Sequence, residues 1–435
     1  MSKIRLKKIL AMTLLTALVG STFLGCGSTE NTVSSGNVEQ KIVYNIDANP
    51  KTIDPQLNSA VDGSKVIRNT FEGLMREIEN GEVENGIAEG YEVSEDGLVY
   101  TFHIRDNAKW SDGEDVTAKD FEYAWKRALN PNTAAEYAYQ LFYIKNGEAY
   151  NKGEASADDV GIKVVDNKTI EVTLESAVPY FVSLLAMPVY YPVRQDIIEE
   201  NGDKWALSPE TYVSNGPFKM TEWSEKESMT FIKNENYWDA DNVKLETLVF
   251  RLIDDQTTTL SAFKNGELDI MEQPPTTEIQ SLIDEGVAKV YPYLGTYFYM
   301  VNVSGKGLSS EAVDALQDVR VRKALSLAID RNLITEKVSM GGEIPATSYV
   351  PEGVKDTQGN TFHKDYSSVT TNIEEAKKLL EEAGYPNGQG FPTITFTYNT
   401  ASNNQMIAQA IQDMWKTNLG INVELKNEEW AVFQT

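Results

Sequence analysis

The chain reads as an α/β protein of more than one domain, and three observations say so. At 435 residues it exceeds what one hydrophobic core ordinarily organises, so two or three domains are expected. Its apolar content of 41%, with 10% aromatics, is that of a folded globular protein. Its last third alternates strand and helix. Residues 393–398 read as a strand, 404–419 as a helix burying Met406, Ile407, Ala410, Ile411 and Met414, and 421–425 as a second strand, with Gly420 closing the helix. Such a βαβ unit makes its two strands parallel and its crossover right-handed. Ligands of open α/β sheets gather beyond the carboxyl ends of parallel strands. A cleft edged by Asn404 and Trp430 follows from that topology.

The N-terminus is a targeting segment. Lys3, Arg5, Lys7 and Lys8 precede an apolar run over residues 9–19, too short to span a membrane. Phe23-Leu24-Gly25-Cys26 follows and resembles a bacterial lipobox, in which Cys26, the chain's one cysteine, is lipidated and becomes the mature N-terminus. Loss of residues 1–25 removes four positive charges and takes the net charge from −26 to about −30. Residues 27–40 are small and polar, a tether with a reach of roughly 20 Å. The body is therefore expected outside the cytoplasm, lipid-anchored on the membrane and folded without disulfides.

Residues 41–46 read as a strand, followed by a rigid turn at Pro50-Lys51-Thr52-Ile53-Asp54-Pro55. Helical spacing then runs through Val66, Ile67, Thr70, Phe71, Leu74 and Met75 towards Asn80-Gly81. Hairpins are expected over residues 91–105 and 162–174, with Leu98, Tyr100, Phe102 and Ile104 inward and His103 on the other face. Between them Thr117 and Asp120 form a helix-starting pair ahead of Phe121, Ala124, Trp125 and Ala128, and Asn130-Pro131 ends that helix. Residues 293–303 are aromatic and β-branched on both alternating faces, which predicts a central strand covered on both sides. Asp318 then caps a helix whose stripe is Val321, Ala324, Leu325 and Ala328. The last residues look like a helix just starting, as if the sequence were a partial product.

Several function classes lose ground on composition. An excess of 65 acidic over 39 basic residues, with no basic cluster after the leader, disfavours nucleic-acid binding and suits a soluble monomer. Two histidines, His103 and His363, and one cysteine cannot assemble a His/Cys zinc site, and no nucleophile elbow, zinc-protease motif or P-loop occurs. No metal ligands, cofactor or catalytic residues are assigned. Twenty-one Tyr and seven Trp suit surfaces that must be apolar and hydrogen-bonding together.

From residue 41 onward the chain resembles the extracytoplasmic solute-binding proteins of ABC importers, family 5, and within them the oligopeptide-binding group. The resemblance rests on collinear segments: Ile53-Asp54-Pro55, Phe71-Glu72-Gly73-Leu74, residues 100–105 leading to Trp110-Ser111-Asp112-Gly113, residues 116–121, Asn236-Tyr237-Trp238, residues 318–325, residues 418–423 and Glu429-Trp430. It implies a type II periplasmic-binding-protein-like α/β fold. Two main α/β lobes and an additional smaller lobe would flank a ligand cleft, with lobe I at 41–71 and 193–293, lobe II at 72–192 and lobe III at 294–435.

It further implies an oligopeptide held as an extended strand and delivered to an ABC transporter permease, without covalent chemistry. The strand partner falls on Ser59, Ala60 and Val61, and the other cleft positions on Tyr137, Met300, Asn404 and Trp430. Members often carry an acid at Met300, a histidine at Asn404 and sometimes a cysteine at Gly295, so side-chain preference stays open and that occasional disulfide is absent. The family's aspartate for a peptide amino terminus would lie beyond Thr435, so the sequence as it stands is expected to bind peptide weakly. Alternatives within the fold are a dipeptide, nickel complex, haem or signalling peptide; outside it, an exported cell-wall hydrolase.

Overall fold

The structure, a computed structural model, describes residues 39–366 and 369–433. The leader, Cys26 and residues 27–38 of the tether lie outside the described residues. The body opens with β1 (Lys41–Asn45), passes through the Pro-rich turn and enters α1 (Val61–Thr70). A small hairpin, β2 (Met75–Glu77) and β3 (Val83–Asn85), leads to β4 (Ala88–Val93) and β5 (Val99–Ile104). Helix α2 (Ala118–Leu129) precedes β6 (Ile162–Asp166) and β7 (Thr169–Thr173). Then come β8 (Phe218–Ser224), β9 (Ser228–Lys233), β10 (Thr247–Arg251), α3 (Gln256–Lys264) and α4 (Thr276–Asp284). The last part holds α5 (Ser310–Gln317), α6 (Val319–Leu327), α7 (Ile373–Glu382), β11 (Ile394–Asn399), α8 (Ser402–Leu419), β12 (Val423–Glu428) and α9 (Trp430–Phe433).

Two four-stranded sheets share the larger core. One has the order β1-β10-β9-β8, with β1 parallel to β10 and the rest antiparallel; the other is an antiparallel sheet in the order β4-β5-β7-β6. Phe102, Ile170, Phe231 and Phe250 enter one continuous cluster that also buries Trp110, Trp125 and Trp205. A second cluster is built by α6, α7, α8, β11 and β12. As the spacing predicts, β11 and β12 are parallel, with Ile394 opposite Val423 and Asn399 opposite Glu428.

Local chemistry explains most boundaries. The Asp120 carboxylate accepts from the Thr117 N–H at 2.8 Å and from its hydroxyl at 3.0 Å, so α2 starts with a reciprocal cap. Its face of Phe121, Ala124, Trp125 and Ala128 is fully buried. The Asp318 carboxylate accepts from the Arg320 N–H at 2.8 Å and starts α6. Gly420 ends α8 at φ +70°, a left-handed conformation that costs a side chain free energy.

Two expectations are corrected. The helix after residue 61 stops at Thr70 instead of reaching Asn80-Gly81: Phe71 is extended (φ −122°, ψ 160°), and Met75 begins β2. Tertiary packing overrides the spacing, because the Phe71 ring meets Trp110, Trp205 and Tyr212 edge-on at 6.3, 6.3 and 5.4 Å. Residues 293–303 form no strand; Tyr293 is 87% and Met300 86% exposed, while the Tyr299 ring packs against Phe396 at 4.6 Å and Phe298 against Tyr349 at 5.1 Å. Alternation predicts a covered strand only where a neighbour offers its edge, and no described strand pairs there.

The Pro-rich turn is anchored inside. The Arg127 guanidinium donates to the two Asp54 oxygens at 3.0 and 2.6 Å, and the Trp205 indole N–H donates to Asp54 Oδ2 at 2.9 Å. Asp54 is 2% and Arg127 11% exposed at the side chain. Asp54→Ala strands the guanidinium, so stability to urea should fall by about 3–5 kcal/mol. Gly420→Ala should cost about 1–2 kcal/mol from backbone conformation alone. A methyl group there would also lie 2.3 Å from the Asn387 carbonyl oxygen, so the urea midpoint should drop further than at an exposed helix end.

Candidate functional site

The residues before α1 are held from one side only. The N–H groups of Leu57 and Asn58 bond the Asp54 carbonyl, the Gln56 side chain donates to the Tyr191 carbonyl at 2.9 Å, and Asn58 Nδ2 donates to the Ala60 carbonyl at 2.9 Å. Ala60 is extended (φ −117°, ψ 154°) and 9% exposed, and Val61, the first residue of α1, is 65% exposed. No hydrogen bond among the described residues takes up the N–H or C=O of Ser59. An extended segment with a free donor and acceptor is what strand addition requires.

Directly after it stands Asp62, in the first turn of α1 and 7% exposed. The amides of residues 62 and 63 and the Trp430 indole N–H approach its carboxylate, yet neither oxygen has a partner at full hydrogen-bond geometry. Burial pushes its pKa up, and those donors oppose the shift. Lys65, one turn on, is drawn instead to Glu272 at 2.7 Å and lies over the Tyr44 ring at 5.2 Å, while the Tyr44 hydroxyl donates to Glu272. Burial lowers the Lys65 pKa and raises those of Asp47 and Glu272. Sequence reading missed this cluster; the one signal available was an acid immediately after the expected strand partner.

The structure brings Trp430 to the start of α1 through Asp62. Trp430 is half-buried and stacks on Phe433 at 6.1 Å. Asn404, in the first turn of α8, donates to Asn399 Oδ1 at 2.7 Å, and Asn427 donates to the Thr400 hydroxyl at 3.1 Å, so both lie at the carboxyl edge of β11 and β12. No hydrogen bond or ring contact joins Tyr137 or Met300 to these residues among those described. Tyr137 is half-buried beside Tyr139 at 5.9 Å, and Met300 stands in the exposed stretch. A hollow of 570 Å³ lies elsewhere, lined by Glu122, Lys126, Lys163 and Glu171 among others, and by none of these positions.

The two histidines are engaged locally. His103 faces Glu92 at 2.9 Å on a strand, and His363 bonds the Val350 carbonyl at 2.8 Å and Asp365 at 3.1 Å. Among the described residues no group of three His, Cys, Asp or Glu could hold a metal ion, and no helix is long and apolar enough to cross a membrane.

Comparison with known proteins identifies the family and the fold. The family described as bacterial extracellular solute-binding proteins, family 5 Middle, matches residues 82–435. The chain is 43% identical over 419 residues to the oligopeptide-binding protein OppA of Bacillus subtilis (strain 168), covering 94% of this chain and 75% of that protein. It is 37% identical to the periplasmic oligopeptide-binding protein OppA of Salmonella typhimurium (strain LT2), covering 100% and 78%. Among solved structures, the substrate-binding domain of an oligopeptide ABC transporter from Bacillus anthracis superposes with a TM-score of 0.84 at 33% identity, covering 91% and 76%. Haemophilus influenzae OppA in complex with the peptide RPPGFSPFR gives 0.83 at 33%, covering 91% and 77%. In sequence and in shape alike, the chain has the type II periplasmic-binding fold and belongs to the family 5 bacterial extracellular solute-binding proteins.

Proposed function

We propose that this protein is the peptide receptor of an ABC importer. It stands on the outer face of the membrane, held by lipid on Cys26, and hands extended oligopeptides to the permease. Lobes I, II and III, at 41–71 with 193–293, 72–192 and 294–435, would close around the ligand. Ser59, Ala60 and Val61 would pair with the peptide main chain, and Tyr137, Met300, Asn404 and Trp430 would line the space for its side chains. It would act as a monomer, without a cofactor.

The observation that carries this reading is the unpaired main chain of Ser59, three residues before the Asp62 carboxylate that the Trp430 indole approaches, in a member of a family whose relatives are named for oligopeptides. Main-chain bonding supplies affinity that does not depend on sequence, and spacious pockets then tolerate varied side chains. Closure is favoured because a ligand touches both walls only in the closed state.

The full-length protein should bind one oligopeptide per chain and release it chemically unchanged, as read by native mass spectrometry and calorimetry. Cleaved peptide would instead indicate an exported hydrolase. Trp430→Ala removes a large aromatic contact of the kind that dominates interfaces, so affinity should weaken by about 30-fold across unrelated peptide sequences. A loss confined to one peptide sequence would count against a main-chain mode.

A further inference from the structure

We propose that Asp62 is a cation-recognition residue of the binding groove, accepting an ammonium group of a peptide laid along residues 59–61. This rests on the receptor reading above and gives it a side-chain preference.

The argument begins from an imbalance. Asp62 is 7% exposed, and neither carboxylate oxygen has a partner at full hydrogen-bond geometry, although the amides of residues 62 and 63 and the Trp430 indole approach it. Buried carboxylates are ordinarily paired, because desolvation penalises an isolated charge. The cation nearest along the helix, Lys65, is committed elsewhere, to Glu272 at 2.7 Å. Asp47 and Asp62 both act on Lys65 through their charge, so three carboxylates share one ammonium and the place keeps a negative excess. Helix α1 does favour an acid in its first turn, but a helix dipole acts as well on an exposed acid and does not call for burial.

Position supplies the second half. Asp62 directly follows the segment whose main chain is free at Ser59, and it faces the Trp430 indole from a distant part of the chain. A peptide paired with residues 59–61 thus passes beside an under-coordinated carboxylate. The indole contributes one donor and no charge. An alkylammonium brings three donors and the missing charge, and its methylenes suit an aromatic wall. The ammonium can come from a lysine side chain or from the peptide's amino terminus; the chemistry at Asp62 is the same.

Calorimetry on the full-length protein would use alanine-based pentapeptides with lysine or norleucine at each position in turn, each with a free or acetylated amino terminus. Wild type should bind at least one cationic form tenfold or more tightly than its neutral counterpart. Asp62→Asn should abolish that preference while neutral peptides stay within twofold, and Asp62→Glu should restore part of it. Norleucine sensitivity identifies the side chain as the source, and acetylation sensitivity the amino terminus. A preference that survives in Asp62→Asn, or none in wild type, overturns the proposal while leaving the receptor reading standing. A folded Asp62→Asn that loses neutral peptides as well assigns Asp62 a structural role and overturns it too. If wild type binds no peptide at all, the receptor reading fails and this inference falls with it.

Discussion

The ion pair between Asp54 and Arg127 fixes where the proposed ligand-pairing segment stands. Asp54 sits at the apex of the Pro-rich turn, Arg127 in the last turn of α2, and Trp205 brings a third segment to the same carboxylate. Both charges are nearly dry, so the pair tolerates no missing partner. From that anchor the order passes outward. Asp54 Oδ1 accepts the Gln56 N–H at 2.9 Å, the Asp54 carbonyl accepts those of residues 57 and 58, and Asn58 holds the Ala60 carbonyl. Among the described residues no hydrogen bond claims the N–H or C=O of Ser59. A rigid interior therefore presents a short free edge, which lowers the entropy the protein itself would lose if a ligand paired with it.

Several motifs that make the family legible do interior work. The Glu72 main chain pairs with the Asn215 side-chain amide: its N–H donates to Oδ1 at 3.1 Å and its carbonyl accepts from Nδ2 at 3.0 Å. Its carboxylate accepts from the Tyr237 hydroxyl at 2.6 Å and the Trp238 indole at 2.5 Å. The Arg105 guanidinium lies 3.7 Å over the Trp238 ring. Four separated segments thus meet on one buried acid. Each is readable because its residue types are improbable away from that hub, and none of them speaks to the ligand. A sequence recognised through such motifs declares its fold with more force than its specificity.

Regular elements with their own signals were equally legible: the cap of α2, the two hairpins of the second sheet, and the parallel pairing of β11 with β12. What failed depended on neighbours. Residues 66–75 satisfy a helical period, yet Phe71 leaves the helix to enter an aromatic cluster. Residues 293–303 have a strand's composition without a strand beside them. Of the candidate site residues, Asn404 and Trp430 are read from topology, whereas Met300 is read from the family resemblance and stands on an exposed stretch. Asp62 has no signal in the sequence because its character comes from its surroundings: an acid in the first turn of a helix is ordinary until its burial and its lack of a well-formed hydrogen bond are seen together.

The proposed cation site at Asp62, with the Trp430 indole facing it, would join charge recognition to motion. Trp430 opens α9, just past the strands at whose carboxyl edge a ligand would rest, and Asp62 stands in the first turn of α1, directly after the segment proposed to pair. An indole alone leaves the carboxylate under-coordinated, so the two walls gain little by meeting empty. A cation set between them satisfies the carboxylate and packs on the ring in a single step, and only when both walls are near. Free energy of that kind is differential between open and closed states, which is the one property a ligand needs in order to shift such an equilibrium. On this view the same buried acid that would choose among peptides would also reward closure around the chosen one.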